Sequence, residues 1–353
     1  MSSPPSPLPP SLGLLFAREL TDGVKAHFCA GATPSQISAT MASLRSLGYA
    51  GIILNYAREV DATAPSEEAA AAGLAEIQQW LAGSLCTIAL AAPGDFVAIK
   101  LSGAGSRCLP LLAARRPCTD EPELARALDR ICSAARQRGV GLLVDAEQAR
   151  LQDGVDDWAL HYMRLHNTGP AAVVFNTYQM YLKRAPAVLA RHLALARHDA
   201  SWRLGVKLVR GAYLHSDPRH LMHDTKADTD RCYDAAARML IVEGVDTVVA
   251  SHNRHSVLQA LALKRQQEQQ QQQQQQHKGG ALLFAQLMGM ADELSLELVA
   301  QGDARVLKYA AWGGTGECVK YLLRRADENK DAVGGNRDNY RAITAELRRR
   351  LLG

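Results

Sequence analysis

Eight short apolar runs, separated by longer helical patterns, restrict most strongly how this chain can fold. Each run has five to seven residues, mostly leucine or β-branched, without polar alternation: GIILN from 51, FVAIKLS from 96, GLLVDA from 141, AVVFN from 172, LGVKLV from 204, DTVVAS from 246, LLFAQL from 282 and RVLKYA from 305. Such runs are typical of strands buried on both faces. Between them lie amphipathic patterns such as EPELARALDRICSAARQRG, which ends at Gly139. Eight strand–helix units predict a (β/α)8 barrel.

A doubly wound open sheet is the alternative fold for such an α/β pattern. That fold usually carries a glycine-rich phosphate turn after an early strand, and the sequence contains no GxGxxG motif. The chain has 353 residues, of which 47% are hydrophobic, so a large core is available to either fold. The barrel is therefore the favoured prediction.

Charge and cysteine content exclude several function classes. The net charge is +4, and no basic run interleaved with aromatic residues appears, so we expect no nucleic-acid partner. The seven cysteines form no CxxC pair, which predicts reduced thiols rather than a disulfide framework. His215, His220, His223 and Asp224 lie close together in HSDPRHLMHD, but their spacing matches no zinc motif, so we assign no metal.

Two low-complexity segments stand outside the barrel pattern. Residues 1–27 begin Pro/Ser-rich and are predicted to be disordered, leading into a helical arm; serine-rich and acid-poor, they resemble a mitochondrial presequence but have no arginine before Arg18. Residues 266–276 are almost entirely glutamine. Because such a polar tract cannot bury a core, we expect a surface insertion that interrupts a helix. The barrel domain is placed at 28–353.

Polar residues follow most of the predicted strands. In a (β/α)8 barrel the active site lies at the carboxyl ends of the strands, so these positions are candidates for function. Lys100 and Lys207 lie within apolar runs, where an unpaired charge is costly. The candidates are Lys100, Asp145, Glu147, Asn176, Tyr178, Lys207, Arg210, Tyr213, Ser251–Asn253, Lys308 and Tyr309.

The segment KYLLRRADEN, residues 320–329, places Tyr321, Arg324, Arg325 and Glu328 close together on a predicted helix. A solvated charged face is one interpretation. A clamp for a small anion is the other, because guanidinium groups bind a carboxylate in a fork and stay charged at any ordinary pH. Glu328 can hold both arginines in place, and its position after them is the less favourable order for helix stability alone. The rest of the chain favours the clamp.

Several segments, in order along the chain, resemble the proline dehydrogenase family in its eukaryotic, fungal-type form. The resemblance covers about 28–333. It is carried by DAEQ at 145–148, FNTYQMYLKRAP at 175–186, KLVRGAY at 207–213, HDTKADTDRCYD at 223–234, FAQLMGMADELS at 284–295 and KYLLRRADEN at 320–329. The resemblance implies a distorted (β/α)8 barrel in which the last helix lies across the active-site mouth.

The resemblance also implies an activity. Members of the family hold FAD without a covalent bond, oxidise L-proline to Δ1-pyrroline-5-carboxylate in the first step of proline catabolism, and pass the electrons to a membrane quinone. It implies a mitochondrial location with peripheral contact to the inner membrane. The chemistry agrees with the residues, because the flavin supplies redox capacity while the protein supplies position and charge.

The family pattern assigns roles to individual residues. The predicted proline-binding residues are Lys100, Asp145, Leu208, Tyr213, Tyr309, Tyr321, Arg324 and Arg325, with Glu328 in support. The predicted FAD-binding residues are Asn176, Lys207, Ala212, Lys226 and His252. No acid–base residue is assigned, because none is required if the amine enters neutral.

Three rival functions are kept. Hydroxyproline dehydrogenase shares the scaffold but must admit a ring hydroxyl, and a tyrosine at the position of Tyr309 crowds that hydroxyl in the family, which favours proline. A lyase or aldolase barrel would use Lys100 as a Schiff-base amine. A non-catalytic member would have lost FAD.

Overall fold

The sheet of this protein closes on itself. The structure is a computed structural model that describes residues 27–57, 68–273, 279–314 and 318. Its nine strands are β1 Cys29–Gly31, β2 Gly51–Tyr56, β3 Phe96–Ile99, β4 Gly141–Val144, β5 Val174–Gln179, β6 Gly205–Val209, β7 Asp246–Ala250, β8 Leu282–Leu287 and β9 Arg305–Trp312. Strands β2 to β9 pair in parallel in chain order, and β9 pairs with both β8 and β2. Each predicted run overlaps one of the eight strands β2 to β9, so the barrel prediction is confirmed.

Nine α-helices are described around the barrel. They are α1 Pro34–Ser46, α2 Glu68–Leu90, α3 Cys108–Ala113, α4 Pro122–Arg138, α5 Ala149–His166, α6 Ala185–His198, α7 Lys226–Val242, α8 Arg254–Gln273 and α9 Asp292–Gln301. Short 3-10 turns lie at Leu101–Ala104, Cys118–Asp120 and Arg219–Leu221. Local signals set several helix ends: Thr33 and Thr225 form capping boxes, and Gly139 ends α4 in the left-handed conformation. No described helix has the length and apolar character needed to cross a bilayer.

Two apolar cores lie on opposite faces of the sheet. The outer core joins the helices to the outward-facing residues of the strands. The inner core is built almost wholly from alternate strand residues, namely Ile53, Phe96, Ala98, Leu143, Phe175, Val248, Leu283, Ala285, Leu307, Tyr309 and Ala311. Because successive side chains of a strand point to opposite faces, this inner set identifies which positions face the barrel interior.

Strand β1 was not predicted from the sequence. It pairs in parallel with the last residues of β9, Cys29 with Ala311, whereas the pairing of β8 with β9 ends at Tyr309. Strand β1 therefore occupies the place beside β9 that β8 has left. A three-residue strand is too short to produce a recognisable apolar pattern.

The described part of the glutamine tract, 266–273, continues its helix instead of interrupting it. Helix α8 continues as far as Gln273, and the described glutamines are exposed or half-exposed. Val257 and Leu261 are buried, so packing at the start of α8 offsets the nucleation cost, and each further residue adds a hydrogen bond. The predicted N-terminal segment 1–26 and the predicted helix across the mouth lie outside the described residues.

Buried polar side chains hold the amino-terminal end of the barrel together. Asn167 follows α5 and is 0% exposed. Its amide nitrogen donates to the carbonyls of Val174 and Arg203, 2.7 and 2.9 Å away, and its amide oxygen accepts from the N–H groups of Val173 and Val174, 2.9 and 2.8 Å away. One side chain thus ties the end of α5 to the entries of β5 and β6.

Replacing Asn167 with alanine should destabilise the protein by about 3 kcal/mol, because two N–H and two C=O groups lose their partner in a buried site. Urea unfolding measures this change. Gln269→Ala, on the exposed part of α8, is the control and should change the unfolding free energy by less than about 0.5 kcal/mol. Equal unfolding midpoints for the two variants would contradict the assignment.

Candidate functional site

Three strands deliver polar side chains to one point in the barrel interior. Lys207 of β6 places its Nζ 2.5 Å from Oδ1 of Asp145, which directly follows β4. The Tyr309 hydroxyl, from β9, donates to Oδ2 of Asp145 at 2.8 Å. The three residues are 6%, 7% and 9% exposed in the order Lys207, Asp145, Tyr309. They form a buried cluster just beyond the carboxyl end of β4, on the inner face of β6 and β9.

The carboxylate of Asp145 stays ionised despite its burial. Burial is the largest influence and on its own would raise the pKa of Asp145, but the ammonium groups of Lys207 and Lys100 oppose it. Together with the hydrogen bonds from Lys207 and Tyr309, they hold the pKa below its ordinary value. Asp145 is therefore an anion, and its ion pair holds Lys207 in the barrel.

Lys100 and Tyr213 form a second pair beside this cluster. Lys100 follows β3, and its Nζ donates to the Tyr213 hydroxyl at 2.8 Å while lying 5.4 Å from the centre of the same ring. Both side chains are half-buried. Across the two pairs, two ammonium groups accompany one carboxylate. Among these described residues the site carries an excess of positive charge, which suits an anionic ligand.

Gln179 is a site residue that the sequence reasoning missed. It ends β5 on the same face as Phe175, its Nε2 donates to the Glu147 carbonyl at 2.8 Å, and its Oε1 accepts from the N–H of Ala212 at 3.3 Å. Thr177 shares this inner face, and its hydroxyl is buried with no partner among the described residues. Counting alternate positions from Phe175 would have identified both residues.

Arg210 is held at the rim by partners on three neighbouring elements. Its guanidinium donates to Asp230 at 2.7 Å and to the hydroxyls of Ser251 and Ser256 at 2.6 Å each, and it lies 4.3 Å from the ring centre of Tyr233. The sequence marked Arg210 as polar at a strand end but assigned it no role. Its partners come from α7, α8 and the end of β7, which only the fold brings together.

Two predicted site residues face the helices instead of the barrel interior. The Asn176 amide donates to Asp156 of α5 at 2.8 Å, and the Leu208 side chain lies in the outer core. Both expectations are corrected, because their neighbours Thr177 and Lys207 take the inward positions of β5 and β6. Burial raises the pKa of Asp156 to about 6, although hydrogen bonds from Asn176 and Gln152 oppose the rise.

The remaining predicted flavin contacts lie on the loop side of the barrel, apart from the buried cluster. Lys226 pairs with Asp230 at 2.5 Å, and Nε2 of His252 accepts from the N–H of Leu287 at 3.1 Å. The N–H of Ala212 bonds Gln179, as described above. Their contact with a cofactor stays a prediction.

Tyr321, Arg324, Arg325 and Glu328 lie outside the described residues, so the anion clamp also stays a prediction. Within the part of the chain that the structure describes, no group of three or more His, Cys, Asp or Glu side chains is arranged to hold a metal ion.

Comparisons with known proteins identify relatives. A family model described as proline dehydrogenase matches residues 37–337. The probable mitochondrial proline dehydrogenase of Schizosaccharomyces pombe is 28% identical over 396 aligned residues, which cover 92% of this chain and 79% of the relative. Hydroxyproline dehydrogenase of Rattus norvegicus is 36% identical over 244 residues, which cover 64% of this chain and 51% of the relative.

A solved structure shares the fold. Proline utilization A (PutA) from Bdellovibrio bacteriovorus, inactivated by N-propargylglycine, superposes with a TM-score of 0.71 at 18% identity. The match covers 88% of this chain and 33% of that chain, so this protein spans about a third of its length. The family model covers most of the chain, and the fold agrees with it. The chain belongs to the proline dehydrogenase family.

Proposed function

We propose that this protein oxidises L-proline to Δ1-pyrroline-5-carboxylate with non-covalently bound FAD and passes the electrons to a quinone. The observation that carries the proposal is the buried Asp145–Lys207–Tyr309 cluster beside Lys100 and Tyr213 at the barrel mouth. Family membership supports it. The ammonium groups of Lys100 and Lys207 and the tyrosine rings match a small cyclic amino acid, which combines a carboxylate with an apolar ring.

The carboxylate of proline requires cationic partners, and the ring of proline requires apolar side chains around it. Lys100 supplies one ammonium group at the mouth, and we assign Arg324 and Arg325 as the guanidinium partners, steadied by Glu328. The rings of Tyr213, Tyr309 and Tyr321 would enclose the proline ring and exclude water from the reacting carbon. Leu208 is left out of this pocket, because its side chain packs in the outer core.

The described residues fit a flavin. On the inner face of β5 and β6 lie the Lys207 ammonium group, the Gln179 amide and the Thr177 hydroxyl, which is buried without a described partner. Such donors suit the heteroatom edge of an isoalloxazine ring. Bound FAD would supply the two-electron acceptor. Lys207, held by Asp145, would place positive charge where negative charge accumulates on reduction. We assign His252 and Lys226 to the distant end of the cofactor.

The geometry supports catalysis without a protein base. Both oxygens of Asp145 are engaged, one by Lys207 and one by Tyr309, and its pKa lies below the ordinary value. The amine of neutral proline can itself form the C=N bond as the hydride leaves the adjacent carbon, and the N–H proton then passes to solvent. Asp145 thus orients Lys207 and Tyr309 rather than accepting the proton.

Hydroxyproline is the second candidate substrate, favoured by the similarity to the rat hydroxyproline dehydrogenase. Tyr309 argues for proline, because its buried ring is fixed by the bond to Asp145 and would crowd a ring hydroxyl. Membership of the proline dehydrogenase family argues against a Schiff-base lyase that uses Lys100. The Schizosaccharomyces relative, named mitochondrial, supports a mitochondrial location, and a quinone acceptor implies contact with the inner membrane.

The proposed function is tested by an anaerobic absorbance spectrum of the purified protein, before and after addition of L-proline. We expect flavin bands that bleach with proline and much less with hydroxyproline. Bands that persist with proline but bleach with hydroxyproline would assign the second substrate. A protein that binds no flavin even after addition of FAD would contradict the proposal.

Asp145→Asn should slow flavin reduction by proline at neutral pH, by roughly tenfold or more, because Lys207 and Tyr309 lose a charged partner. At high pH, where proline itself is neutral, the same deficit should remain, because the lost contacts do not depend on the protonation of proline. Stopped-flow absorbance across pH measures both regimes. Recovery of the wild-type rate at high pH, in a protein that still folds and binds FAD, would instead indicate that Asp145 accepts the proton of the proline amine at neutral pH.

Tyr309→Ser should relax the preference for proline, because a smaller side chain leaves room for a ring hydroxyl. We expect the ratio of kcat/KM for proline to that for hydroxyproline to fall by about tenfold. Tyr309→Phe keeps the ring and is the matched control for loss of the bond to Asp145 alone. Equal ratios in Tyr309→Ser and the wild type would show that Tyr309 does not set this preference.

A further inference from the structure

Tyr213 reaches the site from a loop, not from a strand. It follows β6, and the three residues after it, Leu214, His215 and Ser216, are exposed. Its hydroxyl nevertheless meets the Lys100 ammonium group at 2.8 Å. A side chain on an exposed loop needs other contacts to stay in such a position, and the surrounding residues supply them.

Tyr181, just beyond β5, contacts this loop in three ways. Its N–H donates to the Arg210 carbonyl at 2.8 Å, and its hydroxyl donates to Oδ2 of Asp217 at 2.5 Å. Its ring lies against Gly211, where an added Cβ would be 1.7 Å from the ring carbon Cδ1 and the φ angle is +151°. Only glycine allows the loop to approach the ring this closely. Tyr181 therefore supports both ends of residues 210–217.

Asp217 closes the same loop. Its N–H donates to the Tyr213 carbonyl at 2.8 Å, and its carboxylate accepts from the Tyr181 hydroxyl and from the N–H of Ala149 at 2.8 Å. Ala149 is the first residue of α5, so the carboxylate also lies at the positive end of a helix dipole. Asp217 is buried, and it joins the turn that begins at Tyr213 to a packed helix.

We propose that Tyr181 and Asp217 are positioning residues that hold Tyr213 against Lys100. Neither side chain is placed among the groups that touch substrate, and both act through the loop. This inference rests on the proposed function, in which Tyr213 and Lys100 bind proline but take no part in hydride transfer. Loss of the two contacts should therefore weaken substrate binding and leave the chemical step nearly unchanged.

Steady-state kinetics of the purified holoprotein test the proposal. Tyr181→Phe keeps the ring against Gly211 and removes only the hydroxyl; Asp217→Ala removes the carboxylate. Both should raise KM for proline about tenfold while kcat changes less than about twofold. Asp217→Asn keeps an oxygen for the N–H of Ala149 and an amide group for the Tyr181 hydroxyl, so its KM should stay close to that of the wild type.

Tyr162→Phe is the matched control. Tyr162 is also buried, and its hydroxyl donates to the Ala125 carbonyl at 3.3 Å between α5 and α4. Tyr162→Phe should show any loss of stability that follows removal of a buried hydroxyl, but its KM for proline should be unchanged. In a Tyr213→Phe background, Tyr181→Phe should add less than about twofold to KM, because both changes act on the same contact.

Hydrogen exchange of the holoprotein without substrate separates this inference from the proposed function. Tyr181→Phe and Asp217→Ala should speed exchange of amides within 210–217, whereas Tyr162→Phe should not. If the wild type does not oxidise proline but exchange responds as expected, the proposed function fails and the loop support stands. Unchanged KM in Tyr181→Phe and Asp217→Ala, with or without faster exchange, would overturn the role in positioning the substrate site.

Discussion

The buried carboxylate of Asp145 is the interaction on which the candidate site depends. The barrel interior around it is largely apolar, and a lone charge there would be costly. Lys207 and Tyr309 each bind one of its oxygens, so strands β4, β6 and β9 are tied at one point. Removal of one partner leaves a buried charge without compensation, which is why such pairs constrain geometry more than they add stability.

This ion pair also determines which chemical role Asp145 can have. Because both Asp145 oxygens are occupied and its pKa is lowered, the residue serves better as an anchor than as a proton acceptor. The positive charge it holds lies beside Thr177, the partner of Lys207 across β5 and β6, and Lys100 adds a second cation closer to the mouth. The arrangement suits a flavin on one side and an anionic substrate on the other.

Polar residues in and after the strands have two different roles in this barrel, according to the face of the sheet on which they lie. Some point inward and converge on the site, as Asp145 and Lys207 do. Others point outward and pair with a helix: Gln286 accepts from Ser295 of α9 at 3.0 Å, and Lys308, whose pKa burial lowers, bonds Asp292 of α9 at 2.5 Å. Gln286 and Lys308 are thus bonded within the fold, and Asn176, whose amide donates to Asp156 of α5, points outward in the same way.

The sequence by itself determined the barrel, because strands buried on both faces require continuous apolar runs. It marked Lys100 and Lys207 as charges near or within such runs, but it marked Lys308 in the same way, although Lys308 points outward. Only the tertiary structure decided which face Asn176 and Leu208 occupy, since a shift of one residue reverses the direction of a strand side chain. It alone revealed β1, whose three residues carry no pattern, and the support of Tyr213 by Tyr181 and Asp217. Those contacts join loops and helices that are distant in sequence, and local composition does not predict which distant groups come into contact.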